Sequence, residues 1–304
     1  MLIFGGTGFL GKHLCAMLHS RGYSGVTVVS RNPDKEFLER FAPSVNCVRL
    51  ADFLEAPIAL EAHSRCIVYL AGNSTPGTFA DVPWREFSDN VAPALQLFRQ
   101  CHSVYPDAKV IFVSSGGTVY GKGHHQPIPE DAPLCPISPY GLGKAAIEHC
   151  LEFLGRVEKL KFEILRVSNP VGKWQNSPTQ GVVNVMVRAV MNRAPITLFG
   201  DGSYIRDFLD ADDVANAIIK FCDRETVSNG AWNIGSGVGT SILEVIRIIE
   251  GYFNIKAEKL FFPARELDVR YSVLNCNKVN RELGWHANGD VAEMLKKLPV
   301  ASYA

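Results

Sequence analysis

The sequence carries no excess of either charge: 31 Lys and Arg face 31 Asp and Glu over 304 residues. Without a net field there is no bulk attraction to nucleic acid or to a membrane surface, so neither is an expected partner. Any anion the chain binds has to be held by a local site. There is also no apolar run of the roughly 18–20 residues that a membrane span needs. None of the eight cysteines forms a Cys-x-x-Cys pair, which speaks against structural zinc and against a disulfide framework. Several sit in apolar contexts, as Cys66 does before Ile67–Leu70, and read as buried thiols; no metal site is expected. The chain opens at once on an apolar strand with no room for a signal peptide, so the expected location is cytoplasmic. Internal repeats, low-complexity tracts and long linkers are all missing.

What is present fits a globular enzyme-sized chain, with 47% hydrophobic and 20% charged residues. Met1–Phe4, Val26–Val29, Val45–Leu50, Cys66–Leu70, Lys109–Val113 and Phe162–Val167 read as strands. Leu10, Leu14, Met17 and Leu18 mark a helix by their three-to-four spacing. Trp84–Tyr105, bent at Pro93, and Tyr140–Val157 read as longer helices. Strands that alternate with helices and are continuously apolar predict an α/β fold, a doubly wound parallel sheet of the Rossmann type over residues 1–167. Residues 168–304 change to smaller mixed elements, expected to form a C-terminal substrate lobe of which some segments return to the first domain. Its helices are expected at Gly181–Asn192, Asp210–Cys222, Ser241–Tyr252, Asn277–Leu283 and Asp290–Leu298, with short strands at Pro195–Gly202 and Trp232–Ile234.

Between the first strand and first helix lies Gly5-Gly6-Thr7-Gly8-Phe9-Leu10-Gly11. Glycines at intervals of three allow a tight turn, a close approach of backbone to a pyrophosphate, and close helix–strand packing. The helix N-terminus then offers free N–H groups to the phosphates. Gly5, Gly8, Phe9, Leu10 and Gly11 are therefore expected to bind a dinucleotide. The second strand ends in Ser30 and Arg31 where an acidic residue would hydrogen-bond a ribose 2′-hydroxyl, and Arg31 could pair with a 2′-phosphate. NAD and NADP both stay open, with a tilt toward NADP. Asp52 and Phe53, after the third strand, are candidates for the adenine end. Leu70, Ala71 and Gly72, at the end of the fourth, are candidates along the cofactor.

The chemistry is expected at Val113-Ser114-Ser115-Gly116-Gly117-Thr118-Val119-Tyr120-Gly121, with Tyr140 and Lys144 further on. Tyr140 and Lys144 lie one turn apart on a helix. A phenol titrates near pH 10, so a phenolate at neutral pH needs the positive charge of a neighbour. A hydroxyl on the adjacent strand can share the substrate's proton. Together these groups suit hydride transfer at a carbinol carbon.

The Gly-rich turn, the Ser114-Ser115…Val119-Tyr120-Gly121 segment and Tyr140…Lys144 resemble the extended short-chain dehydrogenase/reductase family, in its nucleotide-sugar epimerase/dehydratase branch. Asn90-Val91, Leu165-Arg166-Val167-Ser168-Asn169-Pro170-Val171-Gly172, Gly200-Asp201-Gly202-Ser203…Arg206-Asp207-Phe208 and Asp212-Asp213-Val214 are similar to stretches of that family, over nearly the whole chain. The resemblance implies NAD or NADP as cofactor, contacted also by Asn90 and Ser114, and a UDP-sugar or related nucleotide sugar as substrate. It implies that Asn169 and Arg206 hold the nucleotide diphosphate and that Arg265 with Asp268 reaches the phosphate and the uridine ribose, with Ser74 and Thr118 near the sugar. It implies a homodimer through two long helices, by analogy alone.

One position departs from the family. Its catalytic Ser or Thr stands three residues before Val-Tyr-Gly, where this chain has Gly116. Thr118 could substitute from the same face of an extended strand, or Ser115 if the backbone kinks at the glycines. No carboxylate precedes Val119, which disfavours a 4,6-dehydratase. The leading expectation is a nucleotide-sugar 4-epimerase acting on a UDP-hexose or its N-acetyl form. An NADPH-dependent 4-keto-sugar reductase and a catalytically silent nucleotide-binding protein are the alternatives. His124-His125 reads as a surface pair and Trp174 as core or rim packing.

Overall fold

A computed structural model describes residues 1–58, 66–265 and 268–299. The first part runs β1 (Leu2–Phe4), α1 (Phe9–Ser20), β2 (Thr27–Ser30), α2 (Lys35–Phe41), β3 (Asn46–Arg49), α3 (Leu50–Glu55), β4 (Cys66–Tyr69), α4 (Ala92–Val104), β5 (Lys109–Ser115), α5 (Pro139–Val157) and β6 (Lys161–Val167). The second runs β7 (Asn169–Val171), α6 (Val182–Met191), β8 (Ile196–Phe199), β9 (Ile205–Asp210), α7 (Ala211–Asp223), β10 (Ala231–Ile234), β11 (Gly239–Ser241), α8 (Ile242–Phe253), β12 (Lys259–Phe262), β13 (Tyr271–Ser272), α9 (Asn277–Leu283) and α10 (Val291–Lys296).

A seven-stranded parallel sheet has the order β10-β6-β5-β4-β1-β2-β3. The apolar strand runs exist because both faces are covered. Ile3, Val28, Val68, Ile111 and Leu165 pack under α1 and α7, through Leu14, Leu18, Val214 and Ile218. Their alternates Leu2, Phe4, Ile67, Phe112 and Ile164 pack under α4 and α5, through Leu97, Phe98, Leu151 and Leu154. Truncating a fully buried side chain such as Phe112 to Ala would cost about 3–5 kcal/mol.

β10 comes from the second half of the chain, yet it pairs with β6 over Ala231–Ile234. Its Trp232 is buried and donates its indole N–H to Glu163 at 2.7 Å. The remaining strands form small sheets: β11-β9-β13 with β7 on β9, and β12-β8. They pack with α6, α8 and α10 around a separate core that includes Val187, Phe208, Ile246 and Leu295.

Three local readings change. The third strand stops at Arg49, because Leu50 already opens α3, whose first turn carries Asp52. The long helix runs without a break from Arg85 to Val104, but it is not α-helical throughout: a π-helical turn, Phe87–Val91, stands just before Pro93, whose missing N–H cannot close an α-helical bond there. Third, β7, β9, β11, β12 and β13 are strands of 2–6 residues with too few apolar positions to show a period. Among the described residues no helix is long and apolar enough to cross a membrane.

Candidate active site

The C-terminal ends of the central strands open into a cavity of about 1000 Å³. Gly5, Gly8, Phe9, Leu10 and Gly11 line it, and so do Leu70, Gly72 and Ser74. Ser114, Ser115, Thr118, Tyr140 and Lys144 lie on its wall, and Asn169, Arg206, Arg265 and Asp268 come from the second half of the chain. Ser30, Arg31, Asp52, Phe53, Ala71 and Asn90 are not on that lining.

The glycine turn is built for close approach. Gly5 has φ +82°, and a Cβ there would sit 2.8 Å from the Ala71 nitrogen. A Cβ on Gly11 would lie 2.4 Å from the Gly5 oxygen, so only glycine lets α1 pack onto the turn. Gly8 precedes α1 in extended conformation, and no side chain caps the helix. The first N–H groups of α1 are thus left to a ligand at the positive end of the helix, which fits a dinucleotide's pyrophosphate.

The cofactor candidates that do not line the cavity have other surroundings. The Ser30 hydroxyl is 3.4 Å from that of Thr7, and Arg31 is exposed. Asp52 is gripped by Arg49 through two hydrogen bonds of 2.9 Å. Phe53 is buried edge-on against Phe4 with ring centres 5.4 Å apart. Its side chain is core, so any contact with a ligand would be through backbone. Asn90 sits in the π-helical turn, accepts from the Asn73 N–H at 3.1 Å and donates to the Ser74 hydroxyl at 3.1 Å. It braces the loop after β4 from behind.

Ser138 caps α5 by accepting from Gly141 N–H at 3.1 Å, and Pro139 fills its first turn. Tyr140 therefore stands at the positive end of a helix, which favours a phenolate. Burial pushes its pKa up to about 12; the Ser115 side chain opposes this and the Glu86 charge adds to it. One turn on, the Lys144 ammonium donates to Val113 O at 3.1 Å and lies over the Phe112 and Tyr140 rings. Burial lowers its pKa to about 8, against the pull of Glu86 and Glu148. Without a further positive charge, Tyr140 stays protonated at neutral pH.

The hydroxyl question turns on backbone geometry. β5 ends at Ser115, and Gly116–Thr118 form a turn in which the Thr118 N–H bonds back to Ser115 O at 3.1 Å. The segment is not extended there, which removes the reason for placing Thr118 on the face of Tyr140. The Thr118 hydroxyl returns to Ser115 O at 3.3 Å. Ser114 donates to Glu148, whose carboxylate is held by Arg166 at 2.8 and 3.0 Å. Of the hydroxyls on this strand end, Ser115 is the one facing Tyr140. Gly116 is filled from outside: a Cβ would sit 2.6 Å from Leu274 and 2.9 Å from Arg166 O.

At the far end Arg265 holds Asp268 through bonds of 3.0 and 3.1 Å and lies 4.1 Å over the Phe199 ring. Arg206, on β9, is half-buried; burial lowers its pKa, while Asp268 raises it. Two guanidinium groups on one cavity wall suit a diphosphate. The Asn169 amide donates to Asp207 O at 3.0 Å, and buried Asp207 accepts from Ser236, Gly237 and Leu274, which fixes β9. Trp174 packs on His13, Phe37 and Phe41 rather than on the cavity. The His124 ring N–H donates to Tyr120 O at 2.6 Å. Among the described residues no group of three or more His, Cys, Asp or Glu is placed to hold a metal ion.

Residues the sequence did not single out include Thr75 and Thr78, joined by a 2.8 Å bond, and Gln175, Thr179 and Phe199 on the cavity wall. The loop residues follow no period, and only the Gly-Pro-Thr content of 75–78 marks a turn.

The fold, the cradle and the Tyr–Lys pair define a class, and the family comparison agrees: residues 1–235 match the NAD dependent epimerase/dehydratase family. The chain belongs to that family. It is 28% identical to the UDP-glucose 4-epimerase of Bacillus subtilis over 320 residues, covering 97% of this chain and 94% of the other. Its structure is similar to that of the Thermotoga maritima UDP-glucose 4-epimerase solved with UDP-glucose, at TM-score 0.86, 29% identity, and 99% and 97% coverage. It is likewise similar to the Thermus thermophilus UDP-glucose 4-epimerase solved with NAD, at TM-score 0.85, 27% identity, and 99% and 98% coverage.

Proposed function

We propose that this chain is a nucleotide-sugar 4-epimerase acting on a UDP-hexose or its N-acetyl form. The observation that carries the reading is the makeup of one cavity. Tyr140, Ser115 and Lys144 stand on its wall together with the glycine cradle and the Arg206–Arg265 pair. Among the described residues lining it, the only carboxylate is Asp268, which Arg265 already holds. Elimination of water, as a dehydratase performs it, needs an acid beside the sugar, and this wall offers none.

Gly5, Gly8–Gly11 and the uncapped end of α1 would hold NAD or NADP, which supplies a hydride acceptor that becomes the donor on return. Tyr140 takes the proton of the C4 hydroxyl, and Ser115 holds that oxygen. Lys144 stabilises the phenolate by charge. Arg206 and Arg265 retain the diphosphate while the keto sugar turns, so tight holding at the phosphates and loose holding at the sugar serve the same reaction.

A second reading, a 4-keto-sugar reductase using NADPH, is favoured by Ser30 and exposed Arg31 at the end of β2. Releasing the bound cofactor and following a UDP-sugar panel by NMR tests both. Interconversion of two sugars with no net change in nicotinamide absorbance supports the epimerase. Steady consumption of added NADPH with a 4-keto sugar overturns it. Leu142, Phe153 and Val157 leave an exposed apolar stripe along α5, which supports pairing of two copies through the α4–α5 face; sedimentation tests this.

A further inference from the structure

Just before the π-helical turn lies Glu86, a carboxylate that the proposed reaction does not use. It is 2% exposed. Its Oε1 accepts from the Asn90 amide at 3.1 Å, and its Oε2 is buried with no hydrogen-bond partner. It reaches α5 through a notch: a Cβ on Gly143 would lie 2.5 Å from Glu86 Cγ and 2.6 Å from Oε1. Gly143 immediately precedes Lys144, so the carboxylate is packed where that lysine leaves the helix.

We propose that Glu86 is a positioning residue for the Tyr140–Lys144 pair, fixing Asn90 by hydrogen bond and setting a buried negative charge against the turn of α5 that carries Lys144. Its place in catalysis rests on the function proposed for Tyr140. An unpaired carboxylate oxygen is costly to bury unless a cation faces it. Burial raises the Glu86 carboxyl, and Ser74, Asn90 and the Lys144 ammonium draw it back down, against Asp89. Lys144 in turn feels the charges of Glu86, from the segment before α4, and of Glu148, from its own helix, while it lies over the Tyr140 ring and donates to Val113 O from β5. A lysine so placed loses its proton on burial; an opposed carboxylate keeps it. Asn90 completes the arrangement, because the same amide that donates to Glu86 also donates to Ser74 on the cavity lining.

The test reads the lysine directly. The purified protein, with whatever cofactor it retains, is exposed to trace acetic anhydride across a pH series, and Lys144 acetylation is followed by mass spectrometry. Glu86→Gln keeps the hydrogen-bond acceptor for Asn90 and removes the charge. Its Lys144 midpoint is expected to fall by about one pH unit or more, while bound cofactor is retained. Gly143→Ala leaves the carboxylate intact but displaces it, and serves if the first variant does not fold; its midpoint should fall too. A midpoint unchanged from wild type in the folded variant overturns the proposal. The measurement needs no sugar, so failure to find a substrate leaves it decisive. Where turnover is found, the alkaline limb of the pH profile should move down with the lysine.

Discussion

At one end of the cavity the chain offers backbone: the N–H groups that open α1, set by Gly5, Gly8 and Gly11 within seven consecutive residues. At the other end it offers side chains, Arg206 from a six-residue strand and Arg265 from the segment after β12. The first surface is rigid because its shape is the covalent path of the chain; a side chain added to it collides with main-chain atoms. The second is assembled by β7, β9, β11 and β13, which are held through Asp207 and a few hydrogen bonds. Under the proposed function, a site that grips a cofactor at one end and lets a sugar turn at the other would profit from that difference.

The comparison can be broken most severely at Gly11. Gly11→Ala places a Cβ 2.4 Å from Gly5 O; the overpacking should cost about 1–3 kcal/mol or more. Purified protein should carry no cofactor and melt at lower temperature by calorimetry. Next in size is the hydroxyl where the two ends meet. Ser115→Ala should lower kcat by about 10²-fold with little change in KM, whereas Thr118→Ala should change kcat by only a few-fold, in steady-state kinetics on the substrate found. Equal losses in the two variants would remove the distinction drawn from the turn at Gly116.

Arg206→Ala tests the side-chain end. The lost charge-assisted bond is worth about 1.5–3 kcal/mol, so UDP binding by calorimetry should weaken by about 10- to 100-fold while cofactor content stays at the wild-type level. The smallest effect is expected at the rim of the cradle. Lys12 pairs with Asp34 at 2.6 Å, and that bond together with the Phe37 N–H holds the Asp34 carboxyl below its usual range. A carboxylate with a lowered folded pKa contributes stability above the unfolded value, about 3.9, and loses it as pH falls through the folded one. Lys12→Met should therefore cost about 0.2–1 kcal/mol at neutral pH and nothing once Asp34 is protonated in both states, by denaturant titration at the two pH values.

The same contrast explains what could be read from the residues alone. Gly5–Gly11 and Tyr140…Lys144 are local patterns: each is contained in one turn or one helix face, and the structure puts them where spacing requires. The central sheet was legible for a similar reason, since a strand buried on both faces is apolar throughout. Thr118 was misjudged as lying on an extended face because nothing in Gly116-Gly117 says how far a strand continues. β9 was missed because Arg206, Asp207 and Asp210 hide a strand whose partners, β11, β13 and β7, are set by contacts distant in sequence. Glu86 carried no signal: a buried charge looks like any surface glutamate until Gly143 is found opposite it.

β10 has a mechanical consequence. Because Ala231–Ile234 is zipped to β6 in the large sheet, and α7 lies against α1, the two ends of the cavity share one stiff frame. Moving β10 and α7 away from the first half would tear strand pairing. Admission and release of a ligand are then expected to depend on short segments of the lining, residues 74–78 and 179–181. Turnover limited by release should answer to the stiffness of those segments, as when a proline replaces a residue there, and not to changes at the seam between the halves.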